Sequence, residues 1–286
     1  MYKNYSTKIL ALICLVLLPT LLNFGQARAE QVFIPNYWDE AERFAKPDMK
    51  TLPRLRFLTT TDFPPFNFID RKKRLTGLHV DLARAVCAEL DALNRCEIQA
   101  LPWAELNEAL NKGEGEAIIA GIAISPETRK TYDFSRSYLR IPARFVVRKD
   151  AKIAGEAYDA LFKKKIAVIA NSIHANYFAE VFANRTPVEF KTREEALSAL
   201  QKQEVDAVFS DALSLSFWLA SKASSDCCLF LDGAFESEKH FGAGLTVALP
   251  KGRQDLVNAM NYALKELNRK GTFAELYLRY FPFGLY

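Results

Sequence analysis

Strand-like apolar runs alternate with amphipathic helical stretches along most of this chain, and the alternation is made twice. A strand followed by a covering helix buries both faces of a mostly parallel sheet. The pattern therefore dictates an α/β fold in layers rather than a bundle or a sandwich. In the first series residues 55–60 read as a strand, 66–70 and 74–77 as a small hairpin and 80–91 as a helix. A strand at 96–101, a helix at 103–111 and a buried strand at 117–119 complete it. A short strand at 144–148 marks a boundary. The second series has strands at 165–170, 188–191 and 207–209 and helices at 175–182, 193–202 and 211–223. A strand at 242–249 returns the chain, and helices at 254–269 and 272–280 end it. Ligands of open α/β sheets bind beyond the carboxyl ends of the strands. Two such modules face to face make a cleft with a hinge.

The stretch 117–134 carries the sharpest local signal. Its strand breaks at Ala120-Gly121, residues small enough for something to approach the backbone closely. Ser125-Pro126-Glu127 follows, a Ser N-cap with Pro at the first helical position and an early acid. Free N–H groups and a helix dipole at such a joint favour an anion. The expectation is a small molecule carrying a carboxylate, against the plainer reading of an ordinary strand–loop–helix joint.

The first residues set the compartment. Lys3 and Lys8 precede an apolar run over 9–24, and Ala27-Arg28-Ala29 supplies a cleavage site. Residues 1–29 are expected to be a secretory signal peptide and the destination the periplasm. Without Lys3, Lys8 and Arg28, the 38 basic residues fall to 35 against 34 acidic ones. A net charge of +1 on the mature chain excludes nucleic acid or an anionic membrane as the expected partner. Its 257 residues, 286 less 29, suit two domains after an N-terminal extension over 30–53. A short helix is expected near 39–44 of that extension. Four cysteines remain in a compartment that permits oxidation. Cys87 and Cys96 are expected to pair, clipping a helix to the following strand. Cys227 and Cys228 form a vicinal disulfide or stay as two thiols. The adjacent pair and the scattered His79, His174 and His240 lack metal-ligand spacing, and no cofactor or metal is expected.

In order along the chain, the segments LRFLTTTDFPPFNF (55–68), LTGLHVDLARAVCAEL (75–90), LPWAELNEAL (101–110), 117–135, KIAVIANSIHANY (165–177), VDAVFSD (205–211) and 241–281 show a resemblance. The chain resembles the periplasmic solute-binding proteins of ABC transporters that carry polar amino acids, solute-binding family 3, with the type II periplasmic-binding fold. The resemblance implies two α/β lobes joined by two crossing strands. Lobe 1 would hold 54–142 with 243–286, and lobe 2 would hold 143–242. It implies a small polar solute, an amino acid or a relative of one, as ligand. The partners would be a membrane permease and its ATPase subunits, and the binding protein itself a monomer.

The implied contacts fall on particular residues. Phe63 and Trp103 would sandwich the ligand, and aromatic faces suit an aliphatic or cationic side chain. Ala120 and Gly121 would line the pocket. Asn171, Ser172 and Ile173, followed by His174, would give hydroxyl and amide donors. Asp211 would receive the ligand's ammonium, with a helix N-cap as its plainer role. Two positions depart from the family pattern. Ala123 stands where a hydroxyl is usual, and Thr128 where an arginine holds the ligand's carboxylate. Arg129 lies one residue on, about 100° around a helix. Arg129, Arg144 or another arginine would then substitute, or the ligand would lack a standard α-carboxylate, or tight binding would have been lost. His79, where the family has an acid, is expected at the surface or near the hinge and not in the site. Some members of the fold are cyclohexadienyl dehydratases, but such substrates demand strong carboxylate clamps. A binder is therefore expected over an enzyme, and over an accessory or sensory module.

Overall fold

The computed structural model describes residues 32–48, 54–281 and 284–286. The expected signal peptide lies outside the described residues. The first series supplies β1 (Leu55–Thr59), β2 (Asp62–Phe63), β3 (Asn67–Ile69), β4 (Leu75–Thr76), β5 (Cys96–Ala100), β6 (Ala117–Ile118) and β7 (Tyr132–Phe134). The second supplies β8 (Ala143–Arg148), β9 (Ile166–Ile169), β10 (Val188–Phe190), β11 (Ala207–Asp211) and β12 (Cys228–Phe230), and β13 (Ala248–Pro250) follows the return. Among the described residues they build two five-stranded sheets, ordered β5-β1-β6-β13-β7 and β10-β9-β11-β8-β12. In each, three parallel strands are followed by an antiparallel one. A third sheet, the antiparallel meander β2-β3-β4, includes the expected hairpin.

Helices α1 (Leu78–Glu89), α2 (Leu106–Asn111), α3 (Ile173–Val181), α4 (Arg193–Gln201), α5 (Ala212–Ala220), α6 (Gln254–Arg269) and α7 (Thr272–Tyr280) cover the sheets. The central strands of the two five-stranded sheets are buried on both faces, as the apolar runs require. In β1, Leu55 and Phe57 join a core with α1, α6 and α7, while Leu58 points the other way into a cluster with Leu106 and Leu110 of α2. In β11, Ala207 and Phe209 meet Phe145, Phe178 and Phe182, while Val208 meets Leu197, Leu200 and Leu215. This two-residue alternation is what a doubly covered strand imposes.

Two segments carry the chain between the lobes, and they pair with each other. Tyr138 N–H donates to the Leu245 carbonyl at 3.0 Å, and Leu245 N–H to that of Leu139 at 2.7 Å. Ala143 and Phe235 exchange both their backbone bonds at 2.9 Å. Most of the stretch expected as a strand over 242–249 is therefore crossing segment, and only its end enters a sheet as β13. Strands β7 and β12 have no counterpart in the sequence reading.

The N-terminal segment has no helix at 39–44. A turn at 40–41 stands there, and Trp38 is buried edge-on against Phe44. Tyr37 and Tyr286 bond through their hydroxyls. Tyr286 also donates to Glu236 at 2.6 Å, and the Tyr37 hydroxyl accepts from Arg140 N–H at 3.3 Å. Both ends of the described chain thus grip the crossing segments. Cys87 and Cys96 are disulfide-bonded, with Cα atoms 6.0 Å apart, tying the end of α1 to the start of β5. Cys227 and Cys228 form the vicinal disulfide.

Candidate functional site

On the small third sheet of the first lobe, β2 ends at Phe63, whose ring stacks on Phe66 at 4.7 Å. The start of α1 holds the turn that follows: Leu78 N–H donates to Pro65 O at 3.0 Å and His79 N–H to Phe66 O at 2.8 Å. His79 is not at the surface. It is fully buried behind Phe66, and Nδ1 lies 2.7 Å from Asn67 Oδ1. The Asn67 amide nitrogen donates to Thr60, so its oxygen faces the ring and Nδ1 is the donor. Burial pushes the His79 pKa down to about 3, and the imidazole is neutral at physiological pH. A helix face that otherwise buries Leu78, Val80, Leu82 and Val86 takes His79 inward with it.

Gly121, at the strand break, has φ +84°. A Cβ there would come 2.8 Å from Phe63 Cε1, so the group that approaches this small residue closely is Phe63 itself. Ala120 is buried beside it and Ala123 is exposed. Trp103 begins a helical turn and is 55% exposed. Phe63 stacks on Phe66 rather than on Trp103.

The expected Ser125 cap is present. Ser125 Oγ accepts from Thr128 N–H at 3.1 Å, and the Ser125 carbonyl accepts from Arg129 N–H at 3.0 Å. The helix it opens is one turn, Thr128–Thr131. So short a helix has little dipole and its first N–H groups are engaged, so the expected anion site at this joint is not supported. Thr128 is closed into the same turn: its hydroxyl donates to Ala123 O at 2.8 Å and accepts from Ser125 N–H at 2.9 Å. Arg129 is exposed. Arg144 is buried, donating to Leu231 O at 3.1 Å with its guanidinium 4.1 Å from the centre of the Phe230 ring. Its side chain is built into the protein interior and is not among those lining the cavity described below.

On the second sheet three helices start where β9, β10 and β11 end. Ser172 caps α3, accepting from Ala175 N–H at 3.0 Å. Its neighbour Asn171 takes φ +59°, and Ile173 is 52% exposed. Thr192 and Glu195 form a reciprocal capping box on α4. Asp211 caps α5, with Oδ1 accepting from Ser214 N–H at 2.7 Å. The cap reading of Asp211 thus holds, and a further partner joins it. Arg193 Nη2 donates to Asp211 Oδ2 at 2.9 Å. A cavity of about 260 Å³ lies here, lined by Ile169, Ser172, His174, Thr192, Arg193, Glu194 and Ser210. His174 stacks on Phe241 at 5.0 Å. Burial lowers its pKa, Asp211 pulls it up and Arg193 pulls it down again. Two larger hollows, of about 550 and 620 Å³, lie between residues 36–48 and α6, on the N-terminal segment and away from the strand ends where α/β sheets bind ligands.

The structure therefore brings Phe63 against Gly121 in the first lobe, and Ser172, His174 and Asp211 together at the strand ends of the second sheet. Arg193 is the residue that the sequence reading passed over. A signal for it existed: a cation at the first position of a helix opposes the macrodipole and needs an acid nearby.

The model of the bacterial extracellular solute-binding proteins, family 3, matches residues 55–283. The chain belongs to this family. A family 3 solute-binding protein captures its solute rather than transforming it. One relative is the putative ABC transporter arginine-binding protein 2 of Escherichia coli (strain K12), 30% identical over 79% of this chain and 90% of the relative. A solved ancestral cationic amino acid solute-binding protein is 26% identical, with TM-score 0.58, covering 82% of this chain and 97% of its own. A solved ancestral cyclohexadienyl dehydratase is 20% identical, with TM-score 0.67, covering 84% and 98%. At that identity it shares the two-lobed fold and gives no support to the dehydratase alternative. Among the described residues no helix is long and apolar enough to cross a membrane.

Proposed function

We propose that this solute-binding protein is the periplasmic receptor of an ABC importer. In this reading it takes an amino acid with a cationic side chain between two lobes, 54–142 with 243–286 and 143–242, and works as a monomer with a permease and its ATPase. The observation that carries the reading is the meeting of Ser172, His174, Arg193 and Asp211 at the carboxyl ends of β9, β10 and β11. Asp211 receives the α-ammonium, Ser172 offers a hydroxyl, and Phe63 and Trp103 give aromatic faces that attract a cation. Ala120, Gly121 and Ala123 line the pocket on the first lobe in this reading. The arginine-binding relative and the cationic amino acid binder support this ligand class.

Thermal denaturation against the twenty amino acids tests it, because a ligand that binds only the folded chain raises the melting temperature. A ligand at a hundred times its Kd adds about 2.7 kcal/mol, or roughly 5–10 °C for a chain of this size. L-Arginine, L-lysine or L-histidine is expected to give such a shift. A flat response to all twenty at millimolar concentration contradicts the reading.

A further inference from the structure

We propose that Arg193 and Asp211 act as one receptor for the zwitterionic head group of the bound amino acid, Arg193 holding the α-carboxylate and Asp211 the α-ammonium. The inference rests on the amino-acid reading above and adds which residue holds the acid. It places the whole head group on the second lobe and leaves the first lobe to contact the side chain.

Four observations lead there. Arg193 lines the cavity, and its Nε is buried without a hydrogen-bond partner. A guanidinium has five N–H donors in a rigid fork, so the Nη2 bond to Asp211 leaves capacity for a carboxylate. Asp211 in turn is not exhausted. Its two oxygens accept from Ser214, Arg193 and, at 3.4 Å, the Ser210 hydroxyl, and a carboxylate offers about four lone-pair sites. The Asp211 side chain is 18% exposed and that of Arg193 37%, so neither is sealed from solvent, and Arg193 and Ser210, both bonded to Asp211, line the cavity.

The other arginines and the first lobe offer less. Thr128 is closed into its own turn, Arg144 lies in the interior, and Ala120, Gly121 and Ala123 bring no charge. The electrostatics of the pair favour one ligand type. Arg193 with Asp211 is neutral as a unit and dipolar, with opposite charges side by side. An α-amino acid carries the matching dipole on one carbon. A ligand with an ammonium alone competes with Arg193 for Asp211 and brings nothing for the guanidinium. The position of Arg193 at the start of α4 opposes the helix dipole, which the bond to Asp211 offsets. Two more helix starts, at Ser172 and Asp211, favour a carboxylate in the same corner.

The test is calorimetry on the mature chain with three pairs of probes: L-arginine and agmatine, L-histidine and histamine, L-lysine and cadaverine. Each amine lacks only the α-carboxylate. The wild-type protein is expected to prefer the amino acid of a bound pair by at least about tenfold, the range of a charge-assisted hydrogen bond. In Arg193→Gln that preference is expected to fall to within about threefold of unity, with Arg193→Lys between the two. Reading the ratio within one variant separates the head group from any general weakening of the fold. If Arg193→Gln keeps the wild-type preference, or the wild-type protein binds amine and amino acid alike, the proposal is overturned while the amino-acid receptor stands. Wild-type protein that binds none of the six probes overturns both.

Discussion

Asp211→Asn is expected to leave the fold standing and to weaken binding of a cationic amino acid at least tenfold. The substitution separates two roles that Asp211 holds together. Asparagine is as good an N-cap as aspartate, so the bond to Ser214 N–H survives and α5 keeps its start. The charge does not survive. A charge-assisted hydrogen bond contributes about 1.5–3 kcal/mol, and here it would be lost to the ligand's ammonium and to Arg193 alike. Asp211→Ala removes the cap as well and costs about a further 1 kcal/mol of stability, about 2–4 °C for a chain of this size. Calorimetry with L-arginine and melting curves of both variants read the two effects apart. Wild-type affinity in Asp211→Asn would mean that Asp211 is a cap and an ion-pair partner only.

Gly77→Ala is expected to give the largest loss of stability, about 3–5 kcal/mol by denaturant unfolding. Gly77 sits at φ +125° and ψ 169°, a region essentially closed to residues with a side chain. A Cβ would also stand 2.2 Å from the Phe66 carbonyl oxygen and 2.8 Å from the Asn67 nitrogen. Both are backbone atoms, which no rotamer change can move aside. The clash falls on the turn that carries Phe63, because the residues after Gly77 hold the Pro65 and Phe66 carbonyls. Ligand binding is therefore expected to weaken along with stability. A variant within about 1 kcal/mol of wild type would show that the turn and the start of α1 can separate.

What the sequence made legible follows the range of the forces involved. Both α/β series could be read because alternation and helical spacing are local, and the last two helices agree with expectation to the residue. The caps at Ser125, Ser172 and Asp211 were legible for the same reason: each bonds an N–H three residues ahead. Strands β7 and β12 were not, since three-residue strands show no periodicity and exist through their neighbours β13 and β8. His79 was expected at the surface or near the hinge; its ring lies 5.9 Å from Tyr138 of a crossing segment, and the surface alternative fails because its polarity was weighed against a helix face that only the small third sheet defines. Arg193 was missed because its partner is 18 residues away and on another strand. The anion expected near Thr128 was a fair inference from a Ser-Pro-Glu start. The structure gives it no support, because that helix ends after one turn.

The central claim is that solute is held from both lobes at once, and Asp211 speaks only for the second. Titration of L-arginine into Phe63→Ala, in the first lobe, tests the claim most directly. The account predicts affinity at least about tenfold below wild type, since a cation over an aromatic face contributes about 2 kcal/mol when desolvated. Binding at wild-type strength in Phe63→Ala, with the Asp211 variant impaired, would contradict a solute held between two lobes and leave a site on one.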